Sequence, residues 1–362
     1  MRIAQIAPLA ESIPPTKYGG TERVVHTLTE ELVRRRHEVT LFATGNSKTS
    51  AKLVSVYPKG LRETNAMETH GFLYSMMNMG IAYQMQDQFD IIHDHNVHFS
   101  LPTASIAQIP TVATLHGPFD QVNRPYFNNF IKNIHLVAIS KAQAKQAPEL
   151  GIQHIIHNGL DMKAYPFSET HDGYILFVGR ISREKGTHFA IEAAERLKMK
   201  LIIAAKVDNN DMEYFKKEIE PKLSDQIQWV GEVNEIDRNN LMVNATCMVH
   251  PTNWPEPFGL TLIEAMGCGC PVVAFNLGSI PEIIQNGKTG FIIPPEDVSG
   301  LMKGIERCKE IDRSYCRTYA LTHFSGKKMT DSYEDLYEQI LRQHNNQKFI
   351  TLPGTPQFSF VN

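Results

Sequence analysis

Residues 247–266 read Cys-Met-Val-His-Pro-Thr-Asn-Trp-Pro-Glu-Pro-Phe-Gly-Leu-Thr-Leu-Ile-Glu-Ala-Met. A short apolar run from Cys247 to Pro251 is followed by a loop stiffened by Pro255 and Pro257, and the chain then turns through Gly259 into a helix. At the start of that helix the backbone N–H groups of Phe258, Gly259, Leu260 and Thr261 lack intrahelical partners. Together with the helix dipole they make a site for an anion such as phosphate. Glycine at position 259 lets the anion come close. Strand, rigid loop and helix in this order are one unit of an alternating α/β fold.

The same unit recurs on both sides of this stretch. Tyr174 to Gly179, Leu201 to Ala205, Ile227 to Val230, Pro271 to Phe275 and Phe291 to Ile293 are further short apolar runs. An earlier series comprises Arg2 to Ala7, Glu38 to Ala43, Asp90 to Ile92, Thr111 to Leu115, Leu136 to Ile139 and His154 to Ile156. Amphipathic stretches lie between them, and runs rich in Val, Ile and Leu suit parallel strands covered by helices on both faces. The predicted fold class is therefore α/β, with two Rossmann-like βαβ domains. The two series meet at 165–173, a polar segment with turn formers and no periodicity. Predicted boundaries are 1–165 and 166–326, a terminal helix over 327–345 and a loose tail over 346–362. Met329, Tyr333, Leu336, Tyr337 and Ile340 fall on one face of that helix, which must pack against something. The first helix is expected to start after Gly19-Gly20, with Thr21 as cap and Glu22 favouring the positive helix end, and to run to about Arg36. Met67, Met76, Met77, Met79 and Met85 are expected to fill a helical core.

A chain of 362 residues exceeds one hydrophobic core. Its 36 basic and 39 acidic residues give a formal charge of −3, which argues against nucleic acid as a partner. Five cysteines, with no CxxC pair although Cys268 and Cys270 stand close, read as reduced thiols. The amino terminus does not read as a secretory signal, and no run approaches the roughly 20 apolar residues that span a bilayer. A cytoplasmic location is expected, with contact to a membrane surface left open.

Two carboxylates flank the anion site. Phosphate would repel both, so they suit hydroxyl groups: Glu264, about one turn into the helix, for a ribose, and Glu256, in the loop before it, for a hexose. Gly179-Arg180-Ile181-Ser182-Arg183-Glu184-Lys185-Gly186 closes the first strand of the second series, at the edge where open α/β sheets bind ligands. Arg180 offers a bidentate fork and Lys185 a compact ammonium, enough to neutralise a diphosphate without a metal. In the first series Gly19-Gly20 permits close backbone approach to acceptor or donor phosphates. The order Tyr-Gly-Gly-Thr-Glu over 18–22 lacks the GxGxxG of a dinucleotide cofactor site. His93-Asp94-His95 ends a strand. Alternate residues of a strand face opposite ways and a third ligand is missing, which speaks against zinc and favours an acceptor-side role for Asp94 or His95.

These motifs in this order resemble glycosyltransferase family 4, the group 1 glycosyl transferases, which are retaining enzymes of GT-B fold. The matching elements are Tyr18-Gly19-Gly20-Thr21-Glu22, Gly179-Arg180 to Glu184-Lys185-Gly186, and Glu256 with Glu264, and the resemblance runs from the first strand to about Ile340. It implies an acceptor-side first domain, a donor-binding second domain and a terminal helix that crosses back to the first. It also implies that Arg180 and Lys185 hold the donor diphosphate, Glu264 the ribose and Glu256 the transferred sugar. Backbone around Gly231 and Val233 would grip the base, and His116, in Thr114-Leu115-His116-Gly117, would be the catalytic histidine. The expected activity is hexose transfer from a UDP- or GDP-linked sugar to a hydroxyl acceptor that is carbohydrate, lipid-linked or a small molecule, with no cofactor and no metal. A nucleotide-sugar-binding regulatory protein, an epimerase and a phosphorylase are the rival readings. One departure is that Phe324-Ser325 is followed by Gly326-Lys327, where family members often carry a tryptophan. Ile156 to Asp161 also looks like a family signature, read here as a structural turn.

Overall fold

The computed structural model describes residues 1–350 except Tyr18, Asn65, Gln121, Val122, Lys132 and Asn133. Seven parallel strands form the first sheet: β1 (Arg2–Ile6), β2 (Glu38–Phe42), β3 (Lys52–Val54), β4 (Ile91–Asp94), β5 (Thr111–Leu115), β6 (Ile134–Ala138) and β7 (His154–Ile155), in the order β3-β2-β1-β4-β5-β6-β7. Six form the second: β8 (Ile175–Arg180), β9 (Leu201–Lys206), β10 (Ile227–Gly231), β11 (Cys247–His250), β12 (Val272–Phe275) and β13 (Gly290–Ile293), in the order β10-β9-β8-β11-β12-β13. All pairings are parallel. Each sheet has a switch point, at β1/β4 and at β8/β11, where the crossovers diverge and a crevice opens at the carboxyl ends of the strands. The edge strand β3 has no counterpart in the sequence reading, because only Leu53 and Val54 of its three residues are apolar.

Burial follows the period of two. On one face of the first sheet Ala4, Ile6, Ile92, Ala113 and Leu115 join one core; on the other Ile3, Ile91, Val112 and Val137 join a second. That second core is closed by the helix Gly326–Ile350, whose Met329, Tyr333, Leu336, Tyr337 and Ile340 are all buried in it. The terminal helix thus crosses back from the second domain onto the first. It continues past 345, and the remainder of the expected loose tail, from 351 on, lies outside the described residues. Phe324, just before the crossing, packs its ring against Phe258 and His157.

Three local expectations differ. The first helix, Gly20–Arg34, has no side-chain cap; Gly19 stands at its start, and the helix stops before Arg36, which takes a left-handed φ of 66°. Leu160, Met162 and Tyr165 already pack into the core of the second domain, ahead of the polar segment at 165–173. In the helix Ala66–Gln84 the buried residues are Ala66, Gly71, Ser75, Asn78, Met79, Ala82 and Tyr83, and Asn78 donates to the carbonyls of Ala7 and Phe42. Small residues let this helix sit close to the sheet. Met67, Met76 and Met77 are therefore turned to solvent with Phe72 and Leu73, and only Met79 of the five methionines is buried. Among the described residues no helix is long and apolar enough to cross a membrane.

Because Leu336 is buried where the crossover helix meets the first sheet, Leu336→Ala is expected to cost about 2–5 kcal/mol. Denaturant unfolding checks this. A loss below about 1 kcal/mol would mean that the helix is not an integral part of the first domain.

Candidate active site

The two sheets turn their carboxyl edges toward one another across a cleft of about 540 Å³, within the range of small-molecule sites. Its lining includes Lys17, Arg23, Arg62, Arg180, Lys185, Lys206 and Arg238 against Glu22, Glu184, Glu232, Glu256 and Glu264. Cations outnumber carboxylates, which suits an anionic ligand although the chain as a whole is slightly acidic.

The second domain supplies most of the expected groups. The helix Leu260–Gly267 begins at Gly259, which has a φ of 83°, and no side chain caps it. Phe258, Gly259, Leu260 and Thr261 all line the cleft, while the Phe258 ring is buried, so Phe258 faces a ligand chiefly by its backbone. Across from this helix start lies the glycine loop of the first domain: a Cβ on Gly20 would come within 3.1 Å of Leu260 Cδ1. The Gly19-Gly20 backbone therefore closes over the anion site from the opposite wall.

Lys185 and Glu256, assigned separately to diphosphate and sugar, are paired with each other: Lys185 Nζ lies 2.5 Å from Glu256 Oε2 and 4.9 Å from the centre of the Trp254 ring. Trp254 Nε1 also donates to Glu256, and His250 Nε2 stands 3.8 Å from it. Burial pushes the Glu256 carboxyl up, but Lys185, His250 and the two hydrogen bonds outweigh it and hold Glu256 below the ordinary range, so it is ionised. Burial, with Lys185 nearby, lowers His250 to about 4. Arg180 lines the cleft but is ion-paired to Glu184, with Asp208 and Asp211 each 3.6 Å away. Of the segment expected to meet a base, Glu232 and Val233 line the cleft and Gly231 does not.

Glu264 is fully buried. One oxygen is bound by Arg238, at 2.8 Å, and by Arg23, which reaches across from the first domain. Its other oxygen has no hydrogen-bond partner among the described residues, and neither do Arg23 Nη1, Arg238 Nε and Asn158 Oδ1, all in residues lining the same cleft. At a cleft wall, buried polar atoms left in this way are free to meet polar groups of a ligand. Sequence reading missed Arg23, Arg238, Asn158, His250 and Trp254. Signals were at hand: Arg23 directly follows the Tyr-Gly-Gly-Thr-Glu motif, His250 and Trp254 lie in the stretch 247–266, and Asn158 lies in the segment Ile156 to Asp161.

The first-domain wall is formed at the ends of β1, β4 and β5. Here the sheet face that is apolar at Ile3, Ile91 and Val112 becomes polar two residues further on. His93 Nδ1 meets Tyr337 Oη at 2.5 Å and His93 Nε2 meets Thr114 Oγ1 at 2.8 Å, while Thr114 in turn meets Tyr333. His95 Nε2 meets Gln5 Oε1 at 2.8 Å and His95 Nδ1 meets His116 Nε2 at 2.9 Å. His116 lines the cleft; Asp94 and His95, the acceptor-side candidates, do not line it themselves. Asp94 points to the opposite face, where it accepts from Tyr83 and the Asn96 N–H, and burial raises it to about 6. Burial lowers His116 to about 4, so its imidazole is neutral near pH 7. Every ring nitrogen of His93 and His95 is engaged by protein groups, and among the described residues no group of three potential ligands could hold a metal ion.

Two parallel-sheet domains that face each other by their carboxyl edges across a basic cleft are the architecture of GT-B glycosyltransferases. Residues 18–164 match Glycosyltransferase Family 4 and residues 161–321 match Glycosyl transferases group 1, and the chain belongs to this family of nucleotide-sugar-dependent enzymes. Among curated relatives it is 26% identical to a glycogen synthase of Mycobacterium tuberculosis over 81% of this chain and 83% of that protein. It is 24% identical to a phosphatidyl-myo-inositol mannosyltransferase of Mycolicibacterium smegmatis over 86% of each. Anabaena HepE, solved in complex with UDP and glucose, superposes with a TM-score of 0.73 at 21% identity, over 94% of this chain and 100% of that one, a likeness of fold.

Glu22, 5% exposed beside Gly19 in the cleft wall, is raised by burial from 4.5 to about 7, against opposing pulls from its own backbone N–H, Arg62 and Arg23. Because the folded protein holds this proton more tightly than the unfolded chain, its presence lowers stability as pH rises from about 4.5 to 7, by up to about 3 kcal/mol. Glu22→Gln is therefore expected to melt like the parent at pH 4.5 and to gain in thermal midpoint through pH 7, with a constant lead above. Parallel melting curves at all pH values would refute the buried, protonated carboxyl.

Proposed function

We propose that the protein is a retaining hexosyltransferase that takes a sugar from a UDP- or GDP-linked donor, without a bound metal, and passes it to a hydroxyl acceptor of carbohydrate, lipid-linked or small-molecule class. One observation carries this reading. The Lys185–Glu256 pair, the uncapped helix start at Gly259 and the half-satisfied Glu264 stand on one wall of a single cleft, and Gly19-Gly20 and His116 stand on the other. The complex of HepE with UDP and glucose and the mannosyltransferase among the relatives support a hexose donor.

In this reading the free Glu264 oxygen accepts from the ribose hydroxyls, and the base lies along Val233. The diphosphate rests on the N–H groups at Gly259 with Lys185 and Arg180 against it, which stabilises charge as the leaving group departs. Arg180 exchanges its carboxylate partners for phosphate, and Lys185 bridges phosphate and Glu256. Glu256 stays ionised beside the sugar, near the carbon that turns cationic in the transition state. The acceptor oxygen attacks from the face the diphosphate leaves, so the new glycosidic bond forms as the old one to phosphate breaks. The acceptor proton passes to an oxygen of the departing diphosphate. Neutral His116 lies opposite, oriented toward the sugar's hydroxyls.

The direct test incubates the protein with UDP-glucose and GDP-mannose in the presence of a chelator and follows diphosphate release and thermal stabilisation. Release from one donor, with stabilisation by it, is expected; silence with both would refute the proposal. Lys185→Ala is expected to weaken UDP or GDP by about tenfold to a hundredfold, as for a lost charged hydrogen bond, while leaving the nucleoside nearly unaffected. Equal weakening in calorimetry would remove Lys185 from the diphosphate site. Glu256→Gln is expected to lower turnover at least about tenfold at nearly constant nucleotide affinity, and loss of both together would contradict its placement at the sugar.

A further inference from the structure

The polar row beneath the first-domain wall reaches the cleft at one residue, His116, and it does so in a single direction. Tyr337, on the crossover helix, meets both His93 Nδ1, at 2.5 Å, and Gln5 Nε2, at 3.5 Å. The Tyr337 oxygen accepts from the Gln5 amide nitrogen. Gln5 Oε1 is thereby turned to His95, 2.8 Å from Nε2. An amide oxygen accepts only, so His95 Nε2 carries the proton and His95 Nδ1 is bare. His95 Nδ1 lies 2.9 Å from His116 Nε2, and one of those two nitrogens must donate.

We propose that His95 is a positioning residue that fixes the tautomer of His116: Nε2 of His116 is held protonated by donation to His95, and the bare Nδ1 is the nitrogen presented to the cleft as a hydrogen-bond acceptor. His116 then receives a proton of a sugar hydroxyl and does not donate one. Deep burial keeps both rings neutral, in agreement with a chain that needs one bare nitrogen on each. The His93 ring, with its centre 4.0 Å from that of His95, packs against the second ring from behind. The anchor of the chain is the crossover helix, so the segment that links the second domain back to the first also orients, through Tyr337 and Gln5, His116 on the first-domain wall. This inference rests on the transferase reading for its catalytic consequence. The tautomer itself does not depend on that reading.

The test is a long-range proton–nitrogen correlation on protein labelled with nitrogen-15 histidine, which distinguishes a protonated from a bare ring nitrogen without donor or acceptor. His116 is expected with Nε2 protonated and Nδ1 bare. His95→Phe keeps the ring and removes both nitrogens, and is expected to mix the His116 tautomers and to lower kcat with UDP-glucose roughly a hundredfold at nearly constant KM. His95→Asn places an amide oxygen near the former Nδ1 and is expected to restore both tautomer and turnover. A parent protein with His116 protonated on Nδ1 overturns the proposal outright, even where His95→Phe fails to fold. So does a folded His95→Phe variant with an unchanged tautomer. Absence of turnover with every donor would count against the transferase reading alone, because the nitrogen correlation is read on the free protein.

Discussion

A parallel sheet covered on both faces leaves no water for its side chains, so each polar residue on it must be answered by whatever covers it. The first sheet carries such a row at its carboxyl edge, Gln5, His93, His95 and Thr114, and the cover is the crossover helix with Tyr333 and Tyr337. Unanswered, those groups would each cost about 1–3 kcal/mol. The helix that closes the apolar core around Ile3 and Val112 therefore also satisfies the polar edge from which His116 emerges. Stability of the first domain and geometry of its cleft wall depend on one docking event.

The second dependency is between the domains. Arg23 at the start of the first helix and Arg238 of the second domain share the fully buried Glu264. Ser140 donates to the carbonyl of Pro257, and Glu282 accepts from the N–H groups of Lys141 and Ala142 at the start of the helix Lys141–Lys145. Each joins a loop of the first domain to the walls of the donor side. Buried charge is costly when it loses its partner, so a separation of the domains that took Arg23 away would leave Glu264 to Arg238 alone. In the function proposed above, a donor whose ribose occupies the open oxygen of Glu264 would lower that cost.

Much of this was readable along the chain. Twelve of the strands follow from apolar runs of a few residues, because burial on both faces requires continuous Val, Ile and Leu, and the face of the crossover helix from Met329 to Ile340 follows from its period. The helix start at Gly259 follows from a glycine behind a proline-rich loop. The methionines of Ala66–Gln84 misled because hydrophobicity says that a residue prefers burial, whereas Gly71, Ser75 and Ala82 decided which side of the helix approached the sheet. Asp94 misled for a related reason: strand alternation separates it from His93 and His95, but which of the two faces looks toward the cleft is a property of the sheet.

By itself, then, the sequence determined two α/β domains, the loops that close their strands, and the residue types proposed to meet a diphosphate and a sugar, since all of these are written in windows of a few turns or one strand. Only the tertiary structure decided the partners: Lys185 with Glu256, 71 residues away, Arg23 with Glu264 across the cleft, and Gln5 and His95 behind His116. Such pairings depend on strand order and on the angle at which two sheets meet, and local periodicity carries neither. The site is therefore legible as a set of groups in the chain, and as a set of charges and protons held in place only in the fold.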